Sequence, residues 1–166
     1  DHNTNENCFR LMSSRMPRLQ QAHLLELDPG ESSKSIESCI ALWKRLTESG
    51  ITRNALLINV GGGMVCDIGG FVASTYVRGI DFINIPTSLL AMVDASTGGK
   101  NGINFSGIKN QVGTFTRPKA VFISPSWLKT LPRREWLSGF AEVIKHALIA
   151  DEEKWNELNP SRKIFI

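Results

Sequence analysis

The sequence has no unbroken apolar run of about 18 residues, so no transmembrane helix is expected. Its start, Asp1-His2-Asn3-Thr4, is polar and has no signal-peptide core behind it. Cysteine is scarce: Cys8, Cys39 and Cys66 are widely spaced and form no C-x-x-C pair, which argues against a disulfide framework and for reduced thiols in a cytoplasmic protein. An excess of one charge is also missing. The 19 basic and 16 acidic residues leave a net charge of +3, and the basic residues are dispersed, so neither a nucleic acid nor a membrane is expected as a partner. There are no internal repeats and no low-complexity segment. Position 1 is not Met, and the expectation is that the chain begins mid-protein.

What is present reads as an ordinary globular chain. With 166 residues, 42% hydrophobic and 21% charged, it is long enough for a domain with a real core. Leu24–Leu27 is a candidate short strand, and Asp28-Pro29-Gly30 a turn. Ser32 or Ser33 is the expected N-cap of a helix with Ile36, Ile40, Trp43 and Leu46 on one side, stopped by Gly50. Ala55–Val60 reads as a buried strand, Val65–Tyr76 as a helix and Asp81–Ile85 as a second strand. Thr87 is expected to cap a short helix over Ser88–Asp94. Gly98–Gly113 reads as a long loop and Ala120–Ser124 as a third strand. Pro132 then opens a helix with Trp136, Leu137, Phe140, Val143, Ile144 and Leu148 on its apolar side. Strand–helix alternation of this kind predicts an α/β fold with a parallel sheet.

Three stretches carry chemistry. Gly61-Gly62-Gly63 follows a strand and opens a helix, where backbone N–H groups can approach a pyrophosphate. Cys66 stands where the usual fingerprint wants glycine, and a tight turn with no ligand fits the same residues. Asp67 is awkward beside a phosphate and suits a sugar or carboxamide donor better. Asp81 lies at the distance of a ribose-binding acid but reads more naturally as a structural or surface carboxylate. The stretch Asp94 to Lys100, continuing to Lys109-Asn110, combines cations and glycines in a way that suits a polyanion, although it lacks the Walker spacing and a solvated flexible loop fits the same residues equally. Glu142, Lys145 and His146 share a helix side. Glu142 and His146 could reach one metal ion, but two ligands are too few for a catalytic zinc site, and a surface ion pair beside a solvent-facing histidine fits equally. His2 and His23 show no partners.

Together these segments resemble the 3-dehydroquinate synthase family of sugar-phosphate cyclases. The resemblance rests on PGESSKS at 29–35, INVGGGMVCDIGGF at 58–71, YVRG at 76–79 and IPTSLLAMVDASTGGK at 85–100. KNQVG at 109–113, LKTLPRRE at 128–135 and GFAEVIKH at 139–146 complete it. It covers about residues 25–150, while Trp155–Ile166 does not clearly follow the family. Ser88 replaces a usual Thr, Asn101 a common Thr and Thr97 an aliphatic residue.

The resemblance implies a partial, N-terminally truncated NAD-binding α/β domain over 1–131. The start of a helical metal- and substrate-binding domain would follow over 132–166. It implies that Glu31 and Lys34 meet the nucleotide end of NAD. Gly61, Gly62, Gly63 and Asp67 would hold its pyrophosphate and nicotinamide side, and Thr87, Ser88, Lys100, Lys109, Leu128 and Thr130 would complete the cofactor site. Asp1 matches a further adenosine-contacting acid. Asp94, Lys100, Asn110 and Lys145 would grip the sugar phosphate, and Arg78 would reach the phosphate of a neighbouring subunit. Glu142 would be the first ligand of a zinc or cobalt ion. His146 is not a family ligand, and two histidine ligands are expected beyond Ile166. The implied reaction converts 3-deoxy-D-arabino-heptulosonate 7-phosphate to 3-dehydroquinate and phosphate. The implied assembly is a homodimer of the full-length form, and the chain alone is expected to be inactive. Another sugar-phosphate cyclase, a metal-dependent alcohol dehydrogenase and a non-catalytic NAD-binding remnant remain as alternatives.

Overall fold

A computed structural model describes residues 1–158. Three parallel strands, β1 (Leu56–Gly61), β2 (Asp81–Pro86) and β5 (Ala120–Val121), form a sheet in the order β1-β2-β5. β1 and β2 run in register from Leu56 opposite Asp81 to Gly61 opposite Pro86. The crossover between them is helix α4 (Gly63–Thr75), the compact solution for joining parallel neighbours. Helix α3 (Ile36–Glu48) packs on α4 and adds Cys39, Leu42 and Leu46 to a core with Ile68, Phe71, Val72 and Phe82. Its N-cap is Ser35, whose hydroxyl accepts from the Ser38 N–H at 3.3 Å, rather than Ser32 or Ser33, which lie in a preceding 3₁₀ turn. Gly50 ends it at φ +67°, a left-handed conformation that glycine adopts without strain.

Before this unit come α1 (His2–Thr4), a π-helical turn (Asn5–Phe9) and α2 (Arg10–Arg15). His2 is not partnerless as expected: it lies 3.5 Å from Glu26 and 3.8 Å from Glu6. Leu24–Leu27 forms no strand. An apolar cavity of about 300 Å³ lies between this segment and β1, so its backbone has no ladder to join, and Leu25 and Leu27 pack on the core instead.

The stretch 98–113 differs most from expectation. It is largely a hairpin of β3 (Lys100–Phe105) and β4 (Ile108–Phe115). Phe105 faces Ile108 across a two-residue turn in which Ser106 and Gly107 both have positive φ, +49° and +79°, as a type I′ turn requires. Buried Ile103 anchors the hairpin to the core. The short helical turn after β2 is capped by Ser88, whose hydroxyl accepts from the Ala91 N–H at 3.3 Å, and not by Thr87, which is buried. It continues as a π turn over Ala91–Ala95. The third strand shrinks to Ala120–Val121, although Phe122 N–H still donates to Asn84 at 2.9 Å. Pro132 is the N-cap of helix α5 (Arg133–Ala150), and α6 (Glu152–Leu158) follows. Trp136, Leu137 and Leu148 on α5 are exposed. Among the described residues no helix is long and apolar enough to cross a membrane. Residues 159–166 of the stretch Trp155–Ile166 lie outside the described part.

Candidate active site

The glycine loop stands at the C-terminal end of β1. Gly62 is the N-cap of α4, with no side chain closing it, so the first N–H groups of the helix face outward as a ready anion cradle. The 88–95 turn forms the facing wall. A Cβ built on Gly62 would lie 3.4 Å from Ser88 Oγ, and one on Gly63 would lie 3.1 Å from Ala95 Cβ. Thr87 N–H donates to the Gly61 carbonyl at 2.9 Å and ties the two walls together. Cys66, in the missing-glycine position, is buried, and burial pushes its thiol up to about 12, with the neighbouring Asp67 charge adding to the shift. It is an inert packing residue at neutral pH.

One helical turn into α4, Asp67 meets Lys34. The Lys34 ammonium, buried at 4% exposure, donates to both Asp67 Oδ2 and Asn110 Oδ1. Lys34 therefore joins a residue implied for the cofactor to one implied for the substrate. The contact requires the hairpin to dock. A register irregularity between Ile103 and Phe105 frees Asn104, whose N–H donates to the Lys34 carbonyl at 2.8 Å and whose amide donates to Glu31 Oε1 at 2.9 Å. Asn104 Oδ1 in turn accepts from the Asn110 N–H at 3.0 Å, holding Asn110 at φ +54°. Neither lysine nor asparagine announces this pairing in the sequence; only the I′ turn signal at Ser106-Gly107 could have revealed the hairpin that makes it.

Burial raises the Asp67 carboxyl above the ordinary carboxylate range; the Lys34 hydrogen bond and charge oppose this, and Glu31 and Asp94 reinforce it. A carboxyl raised on folding contributes stability that is full below its unfolded value, near pH 4, and is lost as pH rises through the folded value. The melting temperature of Asp67→Asn should therefore gain on that of the unchanged protein as pH rises through this window. Parallel melting curves across the window would remove this account of Asp67.

The second cluster sits where α5 crosses the 88–95 turn. Gly139 makes the crossing possible: a Cβ there would lie 2.4 Å from Leu90 N and 2.6 Å from Leu89 Cβ. One turn further along, Glu142 forms an ion pair with Lys145. The Glu142 carboxylate and the Asp94 charge raise the Lys145 ammonium, which keeps it protonated. Asp94, Glu142 and His146 each bring one ligand atom within 4.8 Å of the others. Asp94 is near enough to act on both Asp67 and Lys145, so the two clusters are neighbours.

Other residues singled out by the resemblance are distributed over several elements. Lys100 and Lys109 are exposed on the hairpin, and Leu128 and Thr130 lie in the 3₁₀ turn Pro125–Thr130. Arg78 is exposed at the far end of α4 from the glycine loop, in a turn where Val77 and Arg78 have φ +43° and +68°. The Asp1 carboxylate caps α1, accepting from the Thr4 N–H at 3.1 Å. Asp81 pairs with Lys119 at 3.4 Å on the surface, as a structural carboxylate would.

Residues 24–138 match the family described as 3-dehydroquinate synthase N-terminal. The chain belongs to this family. It is 49% identical over 155 residues to the 3-dehydroquinate synthase of Parabacteroides distasonis, an alignment covering 93% of the chain and 44% of the relative. The similarity thus runs beyond the stretch 25–150, and the chain spans less than half the length of that relative. The 2-epi-5-epi-valiolone synthase of Streptomyces hygroscopicus subsp. jinggangensis, solved with NAD+ and Zn2+ bound, superposes with a TM-score of 0.78 at 34% identity, covering 87% of this chain and 42% of the other. A 2-deoxy-scyllo-inosose synthase, complexed with carbaglucose-6-phosphate, NAD+ and Co2+, superposes with a TM-score of 0.80 at 29% identity, covering 87% and 40%. The parallel-sheet α/β fold is therefore the fold of these cyclases.

Proposed function

We propose that this chain is the NAD-binding part, with the start of the metal domain, of a 3-dehydroquinate synthase. The enzyme would be a carbon–oxygen lyase that converts 3-deoxy-D-arabino-heptulosonate 7-phosphate to 3-dehydroquinate and phosphate, on the shikimate route to chorismate and the aromatic amino acids. The observation that carries the reading is the convergence of the glycine cradle, the Lys34–Asp67–Asn110 linkage and the Asp94–Glu142–Lys145 cluster around the 88–95 turn. The identity to the Parabacteroides enzyme, higher than to either sister cyclase, favours this substrate over theirs.

The chain's own groups fit the two groups the family needs. Bound NAD would serve as a transient hydride acceptor, and a divalent metal, zinc or cobalt, would act as a Lewis acid on a substrate oxygen. Gly61, Gly62 and Gly63 offer backbone N–H groups to the pyrophosphate. Glu31, Thr87, Ser88, Lys109, Leu128 and Thr130 would line the rest of the cofactor site. Lys34, implied at the nucleotide end of NAD, donates to both Asp67 and Asn110 and would link the cofactor side of the site to the substrate side. Lys100 and Lys145 would offset phosphate and carboxylate charge, with Asp94 orienting a hydroxyl. Glu142 is the carboxylate ligand this chain offers a metal. Arg78, remote from the cleft, would serve the active site of a partner subunit in a homodimer. A boundary near Pro132 would divide the NAD-binding part, residues 1–131, from the start of the metal- and substrate-binding part, residues 132–166. A cytoplasmic location and a small-molecule partner, without nucleic acid or membrane, complete the reading.

Calorimetric titration with NAD tests it. A methyl at Gly62 meets nothing in the protein closer than 3.4 Å, yet it occupies the path to the helix N-terminus. Gly62→Ala should therefore fold with a cost under about 1 kcal/mol and bind NAD at least tenfold more weakly. Failure of the unchanged chain to bind NAD would overturn the assignment.

A further inference from the structure

We infer that Asn104 is a positioning residue of the cofactor site, whose side chain seats the bulge bearing Lys109 and Asn110 and holds the Glu31 carboxylate beside it. The inference rests on the cofactor roles proposed for Glu31, Lys34 and Lys109, and adds a residue that the resemblance does not supply. Between the pairs Ile103–Val112 and Phe105–Ile108, Asn104 alone stands opposite Lys109, Asn110 and Gln111. A strand carrying surplus residues loses ladder partners there and bends. Asn110 takes φ +54°, a left-handed conformation that asparagine tolerates better than most side chains. Its N–H donates to a side chain, Asn104 Oδ1, at 3.0 Å.

The other half of the same amide works in a second direction. Asn104 Nδ2 donates to Glu31 Oε1 at 2.9 Å, while the Asn104 main-chain N–H donates to the Lys34 carbonyl at 2.8 Å. Lys34 closes the circuit by donating through Nζ to Asn110 Oδ1. An amide suits this post because it offers an acceptor and a donor at one carbon, the first for a backbone N–H and the second for a carboxylate. Asn104 is half-buried, and Glu31, Lys109 and Asn110 are exposed, so these bonds add more to orientation than to folding. Without them the bound ligand would itself have to order the bulge and the side chains, at a cost to its affinity. The main-chain bond to Lys34 and the buried Ile103 do not depend on the Asn104 side chain, so the hairpin stays docked when that side chain is removed.

Calorimetric titration with NAD, run with melting curves on the same samples, tests the inference. Asn104→Ala should melt close to the unchanged chain and bind NAD at least about fivefold more weakly, the equivalent of losing two modest hydrogen bonds. Asn104→Asp retains an acceptor for the Asn110 N–H but sets a carboxylate against Glu31, and should also weaken binding. In a Glu31→Gln background the amide at position 31 can donate to the carboxylate at position 104, so the penalty of Asn104→Asp should largely disappear. Equal NAD affinity for Asn104→Ala and the unchanged chain would overturn the inference and leave the NAD assignment standing. So would a penalty for Asn104→Asp that is the same in both backgrounds, since a merely structural side chain takes no account of the charge at position 31. Loss of the fold in Asn104→Ala would make this a folding residue and overturn the inference too. If the unchanged chain binds no NAD, the assignment itself fails and the inference with it.

Discussion

Gly69→Ala is expected to destabilise the protein by about 3 kcal/mol. A methyl at this point of α4 would lie 1.9 Å from Asn59 Oδ1 and 2.5 Å from its Cγ. Asn59 cannot swing aside freely. It is buried in β1, and its amide donates to Asn84 Oδ1 at 2.9 Å, while the Asn84 amide donates to the Ser96 carbonyl at 3.0 Å. Moving it would combine overpacking, about 1–3 kcal/mol, with a buried amide left unpaired, about 1–3 kcal/mol. The better helix propensity of alanine returns only about 1 kcal/mol. Chemical denaturation measures the loss, and a double-mutant cycle assigns it: in an Asn59→Ala background the methyl has room, and the cost of Gly69→Ala should fall towards zero. An undiminished cost in that background would show that Asn59 is not the obstacle. The chain of amides leads from the sheet to the turn that carries Asp94, so the same contact that packs α4 also sets the site.

Lys34→Met is expected to cost about 3 kcal/mol at pH 7, lowering the melting temperature by roughly 6–12 °C. Lysine at 4% exposure is held by Asp67, itself only 20% exposed, and by Asn110. Methionine retains the apolar stem but leaves the Asp67 carboxylate without its counter-charge. That is the costly way to break a buried pair, and the residual exposure of Asp67 keeps the figure at the low end of the usual 3–5 kcal/mol. Two controls separate charge from packing. The penalty should shrink at acid pH, where Asp67 takes up a proton. Adding Asp67→Asn to Lys34→Met should recover much of the loss. A penalty independent of pH and of residue 67 would make Lys34 a packing residue and sink its role as the link between hairpin and helix.

The strands β1 and β2, helix α4 and the glycine turn between β1 and α4 were legible because each is encoded locally: an apolar run, a turn and a helical period within a few residues. The one-turn spacing of Glu142 and Lys145 on α5 was legible for the same reason. The hairpin was misread because its alternation is weak. Gln111, Val112 and Gly113 lie on an exposed strand, and glycines at its close approaches resemble those of a loop. His146 was set aside because the resemblance does not make it a metal ligand.

By itself the sequence determined β1, β2 and the helices α3, α4 and α5, their order and the family, since periodicity and motif spacing act over a few residues at a time. Tertiary structure decided which of them meet. Lys34 reaches Asp67 across 33 positions and Asn110 across 76, and no local rule carries that information. Gly139 brings α5 onto the turn bearing Asp94 by the lack of a side chain, and close-packed surfaces permit that one relative placement and exclude the rest.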